Sequence, residues 1–197
     1  LPLSADVTKV NVFGWASVDW LGGGSGSGCV TSVETDLISA LNDAGIETNT
    51  ELTGMYRDFR AAGKRPKTLS SKPEESSVLY EPSITDRECY AEELLQDALD
   101  FSDTAIVVLQ RYSGESNDMP LEQYKVSEKG GPVVTDATRT ALDLSTEEES
   151  LLAYVGSTFK NAIVIVNSAN AMALGALEST PGIDAVLLAG YTGQRPR

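Results

Sequence analysis

The chain has 197 residues, 41% of them hydrophobic and 22% charged, enough for one ordinary packed domain and too apolar for wholesale disorder. Lys and Arg total 15 against 29 Asp and Glu, a formal net charge of −14, so neither nucleic acid nor an anionic membrane surface is expected as the main partner. There is no histidine, which excludes a Ser-His-Asp or Cys-His nucleophile, a histidine-ligated zinc and a haem with a proximal histidine.

In chain order, Lys9–Gly14 (Lys-Val-Asn-Val-Phe-Gly) reads as a first β-strand stopped by glycine. A loop with Trp15, Trp20 and the glycine tract Gly22–Gly28 follows. Ser32 offers an N-cap to a helix in which Val33, Leu37, Ile38, Leu41 and Ala44 recur at helical spacing before Gly45. Ile46–Leu52 is expected as a second, polar strand, and residues 54–84, with Pro66, Pro73 and Pro82, as a long connection holding one helical turn at Met55–Ala62. Thr85 or Asp86 can cap a helix to Phe101 with Tyr90, Leu94, Leu95, Ala98 and Leu99 on one face. Thr104–Gln110 is continuously apolar, as a strand covered on both faces would be.

Arg111–Asp143 reads as a second long loop, and Ser145-Thr-Glu-Glu opens a helix to Phe159. Ala162–Asn167 is a buried strand, Leu174–Ser179 a short helix and Ala185–Gly190 a last strand. This alternation predicts an α/β fold: a predominantly parallel sheet with helices on both faces, a three-layer sandwich of flavodoxin-like order. Ligands of such sheets meet the loops at the carboxyl ends of the strands, here Trp15–Gly28, Arg111–Asp143 and Ser168–Met172. No apolar run approaches the ~20 residues of a membrane span, and Leu1–Asp6 lacks the features of a signal peptide.

Candidate chemistry is sparse. The glycine tract fits neither G-x-G-x-x-G opening into a helix nor G-x-x-x-x-G-K-[ST], so no nucleotide cofactor is implied. Cys29 and Cys89 form no CxxC; one bridge and two buried thiols are both compatible with them. The loop Arg111-Tyr-Ser-Gly-Glu-Ser-Asn-Asp118 holds two carboxylates, Glu115 and Asp118. Shielded from water, such a carboxyl has its pKa raised and can donate a proton; exposed, it is a solvated loop charge. Trp15 beside the first strand suits core packing, whereas Trp20 next to the glycine tract is the better platform for a sugar or aromatic ligand.

The opening Leu1-Pro-Leu and Lys9–Gly14, then Gly22–Gly28, Arg111-Tyr-Ser-Gly-Glu-Ser, Leu142-Asp-Leu-Ser145, Ile163-Val-Ile-Val-Asn-Ser168 and Asp184–Gln194 resemble, in order, the α/β sandwich domain of family 3 glycoside hydrolases. The resemblance covers nearly the whole chain. It implies a domain (1–197) packed beside a TIM-like barrel in cis, with a β-linked glucoside or oligosaccharide bound between them. It also implies a retaining mechanism in which a barrel Asp attacks the sugar and a sandwich-domain Glu exchanges the proton, the two carboxyls about 5–5.5 Å apart. Ser113-Gly-Glu115 matches the family's Ser-Gly-Glu-Gly loop, which makes Glu115 the implied acid/base, with Trp20 and Asp118 as candidate substrate-binding side chains and no metal or cofactor.

Ser116 stands where that family commonly has glycine, and the barrel with its nucleophile is not in the chain. The sequence ends at Gly193-Gln-Arg-Pro-Arg197, before the family's usual last segment, and is expected to be part of a longer protein, inactive alone. Its acidity suits a secreted or surface-anchored bacterial hydrolase. The alternatives are a non-catalytic carbohydrate-binding module of the same fold and a nucleotide or receiver domain, which would require the phosphate motif or first-strand acidic cluster that this sequence lacks.

Overall fold

The computed structural model describes residues 3–22, 35–62, 81–111, 121–126, 132–168 and 170–192. In chain order these form β1 (Lys9–Phe13), a 3-10 turn (Trp15–Val18), α1 (Leu37–Asp43), β2 (Glu47–Thr48), α2 (Thr50–Ala61), α3 (Glu92–Phe101), β3 (Thr104–Gln110), β4 (Gln123–Val126), β5 (Pro132–Asp136), α4 (Thr146–Thr158), β6 (Asn161–Asn167), α5 (Gly175–Ser179) and β7 (Ala185–Leu188). Five parallel strands make one sheet in the order β2-β1-β3-β6-β7, and β4 pairs with β5 in a separate antiparallel ladder. This is the expected parallel α/β sandwich with flavodoxin-like order.

All seven residues of β3 are buried, as are Val10–Phe13 of β1, so both faces of the central strands are covered. Phe13 meets Tyr154 and Phe159, at the end of α4, edge to face, and Leu151, Leu152 and Val155 complete that side of the core. Gly14 ends β1 at φ +91°, and a methyl group there would be driven into the Val108 carbonyl of β3. No helix among the described residues is long and apolar enough to cross a membrane.

Five expected elements differ. The first helix begins at Leu37, capped by the Asp36 carboxylate on the Ser39 N–H at 2.7 Å; Ser32 lies outside the described residues. The second strand shortens to Glu47–Thr48, and α2 replaces both its end and the single turn expected at Met55–Ala62. Asn49 starts that helix by accepting from Leu52 N, and burial of Leu52, Thr53 and Tyr56 on one face outweighs the weak β pattern. The third helix begins at Glu92, because residues 86–90 close into a turn, with Tyr90 N bonded to the Asp86 carbonyl and the Tyr90 side chain fully buried. The loop expected over Arg111–Asp143 contains β4 and β5.

The α4 start follows the sequence signal: Ser145 accepts from Glu148 N, and the Glu148 carboxylate accepts from Ser145 N, a complete capping box. β7 forms where expected but leaves Val186, Leu187 and Leu188 exposed at the sheet edge.

One buried polar network ties the first half of the sheet together. Asn11, fully buried in β1, donates to the Ala98 and Ser102 carbonyls at the end of α3 and accepts from Asn49 Nδ2 at 3.1 Å. Asn49 also donates to Asp97 while capping α2. Asn49→Ala removes a cap and leaves the Asn11 amide oxygen without its donor. It is expected to lower unfolding free energy by about 2–4 kcal/mol in urea denaturation; a loss below about 0.5 kcal/mol, the scale of an ordinary surface change, would show that the network contributes nothing.

Candidate functional site

The strand order reverses at β1, with β2 on one side and β3 on the other, which opens a crevice at their carboxyl ends. The chain leaves β1 through Gly14 and the turn Trp15–Val18, leaves β3 through Arg111 and leaves β6 through Ser168. Two buried amides lace these exits together. Gln110 Nε2 donates to the Asp19 carbonyl at 2.7 Å across the crevice. Asn167 Oδ1 accepts from Leu21 N at 2.7 Å, and Asn167 Nδ2 donates to the carbonyls of Leu21 and Gly190. The loop after β1 is therefore held as an added strand would be, and Gly22 makes a parallel bridge to Thr192. Trp20 is half-buried, its indole N–H donating to Thr192 Oγ1 at 2.9 Å, and the neighbouring Asp19 carboxylate accepts from Arg60 Nε at 2.8 Å.

Arg111, at the exit of β3, spends all five of its N–H donors. Nε donates to the Ala141 carbonyl, Nη1 to Gln110 O and Glu148 Oε1, and Nη2 to Asp143 O and Glu148 Oε2, all at 2.7–2.8 Å. Both partners are almost wholly buried. The fork fits both carboxylate oxygens in one plane, and the remaining donors point at backbone carbonyls, an arrangement an ammonium could not reproduce. Glu148 is also the N3 residue of the capping box, so one carboxylate fixes both the helix start and the strand end. Gln123 of β4, buried, donates to the carbonyls of Thr140, Asp143 and Leu144 and ties the hairpin to the same loop.

A second cluster lies beneath the exit of β1. Glu81 is buried, one oxygen accepting from Trp15 N at 3.1 Å and the other from the Tyr90 hydroxyl at 3.0 Å. The Tyr90 hydroxyl meets that of Tyr56, which accepts from Gly14 N at 2.7 Å. Burial pushes the Glu81 carboxyl up to about 8; the Glu148 carboxylate adds to the rise, and the bond from Trp15 N opposes it. Burial likewise raises both phenols well above the ordinary tyrosine value. Both Glu81 oxygens are committed to the protein, so it is a structural carboxyl and not a reacting one.

Of the sequence-predicted site residues, Trp20 stands at the carboxyl edge, whereas Glu115 and Asp118 lie outside the described residues, as does Cys29. Trp15 is core, 5% exposed. Sequence reasoning missed the Arg111–Glu148 pair, although an arginine directly after an apolar strand and a capping-box glutamate were both visible. Glu81 carried no such signal: it sits among Pro, Ser and Glu residues that read as solvated loop.

Comparison with known proteins adds the family. The profile described as Glycosyl hydrolase family 3 C-terminal domain matches residues 1–196. A beta-glucosidase of Ruminococcus albus is 25% identical over 199 residues, 98% of this chain and 18% of that protein. Beta-glucosidase A of Butyrivibrio fibrisolvens is 25% identical over 94% of this chain and 22% of its own length. The chain thus spans about a fifth of these curated relatives. Among solved structures, beta-glucosidase 3B from Thermotoga neapolitana in complex with alpha-D-glucose superposes with a TM-score of 0.69 at 21% identity, covering 98% of this chain and 24% of that one. A beta-glucosidase from Paenibacillus barengoltzii gives 0.58 at 24% identity over 87% of this chain and 16% of that one. These likenesses establish the shared fold.

The Arg111–Glu148 pair predicts a specific pattern of stability. Arg111→Met is expected to cost about 3–5 kcal/mol, because Glu148 is left buried without its counter-charge. The double variant Arg111→Met/Glu148→Leu is expected to lose clearly less than the single one, measured as a double-mutant cycle by urea denaturation. Simple additivity would show that the pair is not a unit.

Proposed function

Since the chain belongs to the family of glycosyl hydrolase family 3 C-terminal domains, we propose that residues 1–197 form the domain that supplies the acid/base carboxyl, Glu115, to a retaining β-glycosidase of the β-glucosidase type. The observation that carries this reading is the exit of β3. The segment with Ser113-Gly-Glu115 leaves the sheet directly after Arg111, whose side chain is bonded through every donor and whose carbonyl accepts from Asn170 Nδ2 and the Tyr191 hydroxyl, each at 3.4 Å. A proton donor has to be presented from a fixed base, and this exit stands beside the crevice where parallel α/β sheets receive ligands.

In the proposed reaction a barrel domain of the same protein provides the nucleophilic Asp and most of the pocket for the sugar. Glu115, protonated, gives its proton to the leaving oxygen as the glycosidic bond breaks. As carboxylate it then takes a proton from the water that releases the sugar. Trp20 offers a flat apolar face to a β-linked glucoside or oligosaccharide, and Asp118 a hydroxyl acceptor. The isolated chain, lacking the nucleophile, forms no glycosyl-enzyme and is inactive.

Glu115→Gln in the protein that also carries the barrel is expected to lower turnover of alkyl glucosides and disaccharides by about 10²–10⁴-fold. Aryl glucosides with acidic phenols, which need little protonation, should be affected much less. Equal losses on both substrate types in a folded protein would remove Glu115 from the acid role. Saturable glucose binding without product from the unaltered protein would favour a carbohydrate-binding module instead.

A further inference from the structure

Two arginines at the carboxyl edge are used in opposite ways. Arg111 spends every donor inside the protein, whereas Arg60, in the last turn of α2, spends only Nε, on the Asp19 carboxylate at 2.8 Å. Its Nη1 and Nη2 carry four further N–H donors and meet no acceptor among the described residues. Both side chains of the pair are 24% exposed, so the fork is held by the carboxylate and still open to solvent.

α2 brings Arg60 to this place because it runs beside β1 and overshoots it. Asn49, at its start, bonds Asn11 within β1; Tyr56 accepts from Gly14 N just past the strand; Arg60 reaches Asp19 beyond the turn. The wall so formed is tied to the β3 exit, since the Asp19 carbonyl accepts from the side chain of Gln110, the residue before Arg111. Trp20 follows Asp19 in the chain, its indole fixed at the surface by Thr192.

We propose that Arg60, seated on Asp19 and flanked by Trp20, is a specificity-determining residue that binds hydroxyl groups of the sugar on the leaving-group side of a β-glycoside. The inference rests on the reading of Glu115 as acid/base. The proton passes to the leaving oxygen, so the domain that carries the acid lines the leaving group, while the barrel holds the sugar that is transferred. The wall is suited to a neutral polyol. A guanidinium fork donates to neighbouring hydroxyl oxygens, and Asp19 balances its charge. The flat face of Trp20 suits the apolar face of a pyranose ring. An anionic ligand would have to enter the field of a chain at −14.

The Arg60–Asp19 bond also ties α2 to the loop after β1, and the two roles separate by substrate. A structural tie affects every substrate alike, whereas recognition of a second sugar affects only substrates that have one. The protein that also carries the barrel is assayed on cellobiose, whose leaving group is glucose, and on methyl β-D-glucoside, whose leaving group is methanol. Arg60→Met is expected to lower kcat/KM for cellobiose about tenfold or more, mainly through KM, and to change that for methyl β-D-glucoside by less than about twofold. If Arg60→Met fails to fold, Arg60→Lys decides: it keeps a cation on Asp19 but removes the fork, so cellobiose alone must suffer. Equal losses on the two substrates, or an unchanged value for cellobiose, overturn the inference and leave the acid/base reading standing. An unaltered protein that turns over neither substrate overturns that reading and this inference with it.

Discussion

Arg111 is the residue on which the carboxyl edge depends. A guanidinium removed from water is tolerable only when each donor is met, and here two carboxylate oxygens and three backbone carbonyls meet all five. The acceptors belong to three different constraints. Glu148 brings the start of α4, Asp143 and Ala141 bring the loop after β5, and Gln110 keeps the guanidinium at its own strand. Because Glu148 is bound twice, as ion-pair partner and as capping-box residue, neither α4 nor the end of β3 can shift alone. Shared partners of this kind turn several marginal local preferences into one cooperative arrangement.

Around that anchor the edge is organised by amides. Gln110 and Asn167 occupy matching ends of β3 and β6, paired in register, and between them they hold the loop after β1 through Asp19 and Leu21. An apolar residue at either position would pack as well but could satisfy neither backbone group. Apolar burial thus builds the sheet, and polar burial decides where its loops go. The cost of an unsatisfied donor makes each loop position specific where hydrophobic contact would leave it free to slide.

This division explains what the sequence made legible. The apolar runs Val10–Phe13, Thr104–Gln110 and Ala162–Asn167 identify strands because covering both faces of a sheet demands continuous apolar character. Ser145 and Glu148 reveal a helix start because the capping box is local in sequence. The α2 helix is not legible in sequence because Asn49 and Tyr56 are fixed by distant partners: Asn11 and Asp97 for the first, Tyr90 and Gly14 for the second. Several of the bonds that define the candidate site join residues far apart in sequence, such as Arg111 to Glu148 at 37 and Leu21 to Asn167 at 146 positions. No periodicity reports such pairings. The loop chemistry of Ser113-Gly-Glu115 was readable only through resemblance.

The two anchors at this edge answer differently to their surroundings. The Arg111 fork sets a guanidinium against a carboxylate, and that pairing holds the β3 exit. Glu81 has no ion pair among the described residues, and the same exclusion of water that would be ruinous for a carboxylate keeps a carboxylic acid comfortable near neutrality. The charge of the chain works in the same direction. At −14, the surrounding field opposes each further ionisation, so a carboxyl that loses its contact with water here is biased toward its protonated form.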